Sequence, residues 1–370
     1  MTADFDRNDS LGPTRIIQVR EPGIGLEGIL VIDNVAAGPA IGGLRMSPDV
    51  NTRECVRLAR AMTLKNALAG LSHGGAKSVL IGDPKMPAAD KEQLIRAFAC
   101  ALRDNHDYIF GPDMGTNEAC MAWVQDEVGR AVGLPSELGG IPLDQIGATG
   151  WGLCHAIEVA LPDCKLSMNG VRVAIQGFGA VGSHVAHYLA KRGARVIAVS
   201  DSRSTLSDSA GLDIERLRSL KASGHPVSDY GSGRVQDPSA IIDIECDIWI
   251  PAARPDILDE SNVDRLHTRL VAQGANIPIT RAAETRLHAR GIINLPDIIA
   301  NAGGVICAAM EYRHLGQSVA FRAIEDRIRS NTRAVLDEAH RNQVTPRQAA
   351  ESLGEARIRK AMSLKRWSLF

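Results

Sequence analysis

Residues 171–200 read VRVAIQGFGAVGSHVAHYLAKRGARVIAVS: a strand, a glycine turn, a helix and a second strand with almost nothing between them. This feature limits the fold more than any other. Two strands joined by a helix run parallel, and a parallel sheet needs helices on both faces to cover it. The same rhythm extends outward, with the helix TGWGLCHAIEVAL starting at Thr149 before it and the strands DIWIP, LVAQG and IINLP after it. The expected fold class is therefore α/β, with a doubly wound Rossmann-type domain in the second half of the chain.

Gly177, Gly179 and Gly182 have GxGxxG spacing, with Phe178, Ala180 and Val181 in the intervening places. Glycine allows the tight turn and the close backbone approach, so a pyrophosphate can rest where the free N–H groups and dipole of the helix favour an anion. Asp201 ends the second strand, where an acid accepts hydrogen bonds from an adenosine ribose and repels a 2′-phosphate. NAD is the expected cofactor; Arg203, two residues on, leaves NADP open. His184 and His187 lie one helical turn apart without further ligands, so they are read as packing or surface residues and no metal is expected.

The first half mixes periods. Glu27 to Asn34 reads as a strand, TRECVRLARAMTLKNALAGL as a helix capped by Thr52, and AKSVLIGDP as a buried strand. Another helix (KEQLIRAFACALRDN), a short strand (DYIFGPD) and a third helix (NEACMAWVQDEVGRAV) follow. The expected organisation is a substrate and oligomerisation domain over 1–138, the dinucleotide domain over 139–339, and helices from 340–370 returning to the first domain. Glu137 to Pro142 is the expected hinge.

The stretch KNALAGLSHGGAK sets Lys65 and Lys77 at the ends of small and apolar residues with no local acid. A helix ending near Lys65, a turn at Gly74 and Gly75, and a strand carrying Lys77 would bring two amines together. Burial and a second cation both make a lysine give up its proton more readily, which suits chemistry that exchanges protons near neutral pH.

The run GPAIGGLRMSPDVNTRECVRLARAMTLKNALAGLSHGGAK, then GPDMGTNEACMAW, ELGGIPLDQIGATGWG, GFGAVG, IPAA, QGAN and LPDIIANAGGV, resembles the glutamate/leucine/phenylalanine/valine dehydrogenase family from about Gly38 to Glu311. The resemblance implies that Lys65 and the Gly42-Gly43 segment bind substrate, with Lys65 on the α-carboxylate. It implies that Lys77 is the catalytic lysine acting through a water, and that Asp113 handles protons on the amine. It places Asn301 in the substrate and nicotinamide pocket, Thr149 on the carboxamide and Asn276 near the nicotinamide ribose. Catalysis would occur in a cleft between the domains, and relatives assemble as symmetric multimers, so a homo-oligomer is expected.

Departures from the family pattern bear on the substrate. Glutamate-specific members carry a lysine where this chain has Ile41, a serine where it has Ala308, and a glutamine where it has Met62. Each change removes a polar partner of a second carboxylate, and an unpaired buried carboxylate costs several kcal/mol. The expected reaction is reversible oxidative deamination of an apolar L-amino acid to the 2-oxo acid and ammonia. Other features follow the glutamate branch, including TGWG, IPAA and MEYRHL, so a glutamate dehydrogenase with altered side-chain recognition is the alternative. A nucleotide-binding homologue without turnover is the other. His73 is read as a rim residue facing water.

Composition narrows the partners. Aromatic residues make up 4% of the chain and the formal net charge is −1, which argues against nucleic acid and anionic membrane surfaces. The seven cysteines are scattered without CxxC spacing, no apolar run reaches membrane length, and the amino terminus is polar; a reduced, cytoplasmic enzyme is expected.

Overall fold

A computed structural model describes residues 9–143 and 145–365. The first eight residues, Asp144 within DQIGATG and the last five residues of the expected carboxyl-terminal return lie outside the described residues. The chain divides into two compact units: one comprises Met1–Leu143, Val305–Ala320 and Ser352–Phe370, the other Asp144–Gly304 and Phe321–Glu351.

The first unit is built on a five-stranded sheet of β1 (Arg15–Glu21), β2 (Leu26–Asn34), β3 (Ala40–Ser47), β4 (Gly74–Ile81) and β5 (Tyr108–Pro112), in the order β1-β2-β4-β3-β5. The pairs β1–β2 and β2–β4 are antiparallel, whereas β4–β3 and β3–β5 are parallel. Alternation along the strands sorts the core into two layers. Ile29, Val31 and Val79 pack with Cys55 and Ala59 of α1 (Thr52–Leu68). Leu30, Ile32 and Leu80 pack with Phe98 of α2 (Ala88–Ala101) and Met121 of α3 (Glu118–Val128).

Two local expectations change. The cap of α1 is Asn51, whose side chain accepts from Glu54 N at 3.0 Å, and Thr52 is already helical. The turn after α1 is made by Gly70, in the left-handed region at φ 63°, while Gly74 and Gly75 are extended residues of β4. Those two glycines serve close approach instead: a Cβ on Gly75 would lie 2.1 Å from Thr63 N, and one on Gly74 would lie 1.8 Å from Asn34 O.

The second unit carries a seven-stranded sheet of β6 (Arg172–Gln176), β7 (Arg195–Ser200), β8 (Thr205–Ser207), β9 (Arg234–Gln236), β10 (Ile248–Pro251), β11 (Leu270–Ala272) and β12 (Ile293–Leu295). Its order is β12-β11-β10-β6-β7-β8-β9. The five strands from β12 to β7 are parallel, and β8 and β9 add an antiparallel edge. The unit's helices include α4 (Ala148–Ala160), α5 (Ala180–Lys191), α6 (Ile214–Ala222), α7 (Arg281–Ala289) and α8 (Asp297–Ala300).

Three helices carry the chain between the units: α9 (Gly303–Tyr312), α10 (Gln317–Asn342) and α11 (Pro346–Leu364). The division lies at 143/144 where the sequence suggested 138/139, and the return comprises part of α9 and the portion of α11 from Ser352. Hydrogen bonds explain both. Glu311 of α9 accepts from Leu134 N and Ile141 N, each at 3.0 Å, tying α9 to the end of the first unit. Arg347, in the first turn of α11, binds Glu284 and Asp297 and keeps that end in the second unit. Among the described residues no helix is long and apolar enough to cross a membrane.

Candidate active site

The first unit gathers its charged groups from three neighbouring strands. Lys77 is the fourth residue of β4 and is buried; Asp113 follows β5; Arg45 lies on β3 between them. Lys77 Nζ is 2.9 Å from Asp113 Oδ2, and Arg45 Nε donates to the same oxygen at 2.7 Å. Arg45 Nη1 donates to Glu54 Oε1, also at 2.7 Å. Burial pushes the Asp113 carboxyl up, but the charges of Lys77 and Arg45 and the hydrogen bonds they donate outweigh it and hold it below the usual carboxylate range.

This corrects the idea of two crowded, unpaired amines. The acid absent from the Lys65 to Lys77 stretch arrives from β5, so Lys77 sits in an ion pair. Lys65 is buried in the last turn of α1. Helix and strand touch where Thr63 meets Gly75, and each lysine lies two residues beyond that contact.

Gly42 and Gly43 make the cluster possible. A Cβ on Gly42 would lie 2.0 Å from Ala76 O; one on Gly43 would lie 2.8 Å from Asp113 Cβ and 3.2 Å from Lys77 Nζ. Any side chain at these positions would push β3 off its neighbours or wedge the ion pair apart. Tyr108 OH donates to Gly42 O at 2.9 Å, pinning the strand from β5. The turn after Asp113 is fixed as well: the Thr116 hydroxyl accepts from Asp113 N and donates to Leu44 O.

The three positions that differ from the glutamate pattern all lie in this unit. Ile41 is buried between Gly75 of β4 and Ile109 of β5, Met62 is half-buried on α1, and Ala308 is buried on α9. His73 is a correction: it is 6% exposed, its ring nitrogen donates to Pro39 O at 3.1 Å, and its edge meets Tyr312, so packing takes it out of water. Burial pushes its pKa down.

The second unit assembles the other group of expected residues at the carboxyl ends of β6, β10 and β11. A Cβ on Gly177, whose φ is 96°, would meet Ala253 at 2.6 Å; one on Gly182 would meet Gly177 O at 1.9 Å; one on Gly274 would meet Val181 at 3.2 Å. Asn301 Nδ2 donates to Gly274 O, Ala275 O and Asn276 Oδ1 at 3.2, 3.1 and 3.0 Å. Gly303 packs on Thr149, where a Cβ would lie 3.1 Å from Thr149 Cα. Thr149, Asn276 and Asn301 thus belong to one constellation.

Phe178 departs from its expected part. Its side chain is buried and its N–H donates to Ser200 O at 2.7 Å. The N–H groups at the start of α5, from Gly179, Ala180 and Val181, are those suited to an anion. Asp201 departs too. Its Oδ1 accepts from Arg203 N and Ser204 N, and its Oδ2 from Val227 N and Lys221 Nζ. Burial raises this carboxyl, but those four donors lower it further. Four bonds fill a carboxylate's acceptor sites, so Asp201 orders the loops around it while keeping its negative charge at the end of β7.

The crevice fits a dinucleotide. A Cβ on Gly179 would meet nothing within 4 Å, leaving room over the helix start. Gln176 Oε1, just before the glycine turn, and Asn301 Oδ1 are buried acceptors without a hydrogen-bond partner among the described residues. Such orphans are costly unless a ligand or water satisfies them. No cluster of three or more His, Cys, Asp or Glu residues suited to a metal is found among the described residues.

Sequence relationships agree with this geometry. Residues 139–366 match the family model described as Glutamate/Leucine/Phenylalanine/Valine dehydrogenase, and residues 13–130 match that family's dimerisation domain. Similar proteins include a glutamate dehydrogenase of Aeropyrum pernix, 34% identical over 90% of this chain and 85% of its own. An NADP(+)-dependent glutamate dehydrogenase of Pyrobaculum calidifontis is 36% identical over 81% and 77%. The hetero-hexameric glutamate dehydrogenase of Thermus thermophilus, solved with leucine bound, superposes with a TM-score of 0.85 at 28% identity, covering 95% of this chain and 90% of that one. The family match and the dehydrogenase relatives define the class as an oxidoreductase. The chain belongs to the Glu/Leu/Phe/Val dehydrogenase family, whose members deaminate amino acids with a nicotinamide nucleotide.

Sequence reasoning missed Arg45. A charged residue inside a buried strand is a usable signal, but the glycines of AIGGLRMS concealed the strand.

Proposed function

We propose that this protein catalyses reversible oxidative deamination of an L-amino acid with an apolar side chain, giving the 2-oxo acid and ammonia. The observation that carries this reading is Lys77 Nζ held 2.9 Å from Asp113 Oδ2 on buried strands, with apolar Ile41, Met62 and Ala308 in the same unit. Lys65 holds the α-carboxylate. Loss of a hydride from Cα and a proton from the amine gives an imine, and water adds to the imine carbon before ammonia leaves. Lys77 donates and accepts the protons of these steps, and Asp113 takes the proton from the amine. A bound nicotinamide nucleotide supplies the hydride acceptor. Gly179, Ala180 and Val181 would hold its pyrophosphate, with Thr149, Asn276 and Asn301 at its nicotinamide end.

NAD remains the proposed cofactor on the charge of Asp201, and Lys221 and Arg203 beside it leave NADP open. The NADP dependence printed for the Pyrobaculum relative favours testing both. A second substrate reading, glutamate, is favoured by the names of the relatives. The dimerisation-domain match over 13–130 supports a homo-oligomer, and seven free thiols suit a reducing cytoplasm.

Oxidation of NADH and NADPH with ammonia and a panel of 2-oxo acids tests these readings. Reduction of the 2-oxo acids of leucine, valine and phenylalanine is the expected result. Turnover of 2-oxoglutarate alone overturns the apolar reading, and no turnover with any acid leaves a nucleotide-binding protein.

A further inference from the structure

The Arg45 guanidinium is buried, and it spans two acids, with Nε on Asp113 Oδ2 and Nη1 on Glu54 Oε1. We propose that Arg45 is a positioning residue for the deamination reaction: anchored by Glu54, it fixes Asp113 through Oδ2 so that Oδ1 is the oxygen that exchanges protons with the substrate amine. This rests on the dehydrogenase reading above and deepens it.

Three features support the assignment. Both cations converge on one oxygen, so rotation of the carboxylate would break two charge-assisted bonds at once, while Oδ1 takes no hydrogen bond from the described chain. The backbone of Asp113 is pinned through Thr116 to Leu44, the residue before Arg45, so the same strand holds both ends of the acid. A guanidinium keeps its proton throughout the working pH range. Arg45 therefore supplies constant charge, and proton exchange falls to Lys77 and Asp113.

Asp113 faces Lys77 from β4 and Arg45 from β3, with Glu54 and Cys55 behind them on α1, and Tyr108 of β5, whose hydroxyl burial pushes up, adds no charge. Cys55 Sγ donates to Lys77 O at 3.2 Å, and burial pushes that thiol up to about 12, so it adds no charge. With Arg45 present the cluster holds two acids and two cations. Without it the balance is one negative charge in excess, which favours protonated Asp113.

The test compares wild type, Arg45→Met and Arg45→Lys by the pH dependence of kcat and kcat/KM with an apolar amino acid. In parallel, the Asp113 carboxyl is titrated by 13C NMR, assigned with Asp113→Asn. In Arg45→Met the acid limb and the carboxyl titration should both move up by about 1 pH unit or more, and kcat should fall about 100-fold. Arg45→Lys keeps a charge but cannot span both acids in a fork, so its limb should stay near wild type while kcat falls about 10-fold, roughly the loss expected of slight misplacement. A folded Arg45→Met protein with an unmoved limb and titration overturns the proposal. If Arg45→Met does not fold, Arg45→Lys at wild-type kcat overturns it. Absence of turnover in wild type would sink the dehydrogenase reading alone, and the NMR titration would still decide whether Arg45 governs Asp113.

Discussion

Each unit buries an arginine between two carboxylates, and the two clusters are finished differently. In the second unit Arg347 binds Glu284 Oε2 at 2.6 Å and Asp297 Oδ1 at 2.8 Å. Glu284 Oε1 also accepts from Gln273 and Asn294, and Asp297 Oδ2 accepts from Ile277 N, so all four carboxylate oxygens are bonded within the chain. In the first unit Arg45 shares Asp113 Oδ2 with Lys77, and Asp113 Oδ1 takes no such bond from the described residues. A saturated cluster can only hold elements together, here α11 to α7 and α8. A cluster with an open oxygen and a lysine can exchange protons. Asp201, with four donors, falls on the structural side of this division.

Variants can break the comparison. The largest effect is expected for Lys77→Ala: turnover should drop by about 10³-fold or more, within the range lost with a general acid–base group, while NADH binding measured by fluorescence persists. Arg347→Met leaves two buried carboxylates without their cation and should cost about 3–5 kcal/mol, read as a lowered denaturation midpoint. Gly43→Ala puts a methyl where Asp113 Cβ would lie 2.8 Å away; stability should fall modestly and kcat by about 100-fold, as for a misplacement near 1 Å. If Gly43→Ala instead changed stability alone, the open cluster would be structural after all.

The smallest effect sharpens the contrast within the second unit. Burial raises the Glu158 carboxyl, but the hydrogen bond from His155 and the charges of Arg192 and His155, with Arg329, bring it down to about 2 from its ordinary 4.5. A depressed carboxyl contributes stability that is present above the unfolded value and lost as pH falls through the folded one. Wild type should therefore lose stability between about pH 4.5 and 2, and Glu158→Gln should flatten that decline in acid denaturation.

The second unit was the more legible in sequence. Strands β6, β7, β10, β11 and β12 are short apolar runs separated by helices, and their order follows from parallel pairing. The antiparallel edge strands β8 and β9 have three residues each and carry too little pattern to be seen. In the first unit β3 was hidden because Gly42 and Gly43 interrupt the apolar run, although those glycines let the strand pass between β4 and β5. The site was legible as residue types, through Lys65, Lys77 and Asp113, and not as a network. Whether a carboxylate is saturated depends on partners distant in the chain, as with Asp113 and Arg45 or Asp201 and Val227, and a linear pattern does not carry that information.

The division between open and saturated carboxylates is tested most directly by measuring turnover per folded molecule in Asp113→Asn and Glu284→Gln, with folding followed by thermal denaturation. The account predicts that Asp113→Asn loses turnover while still binding NADH, and that Glu284→Gln melts earlier yet turns over near the wild-type rate. Wild-type turnover in folded Asp113→Asn would contradict it.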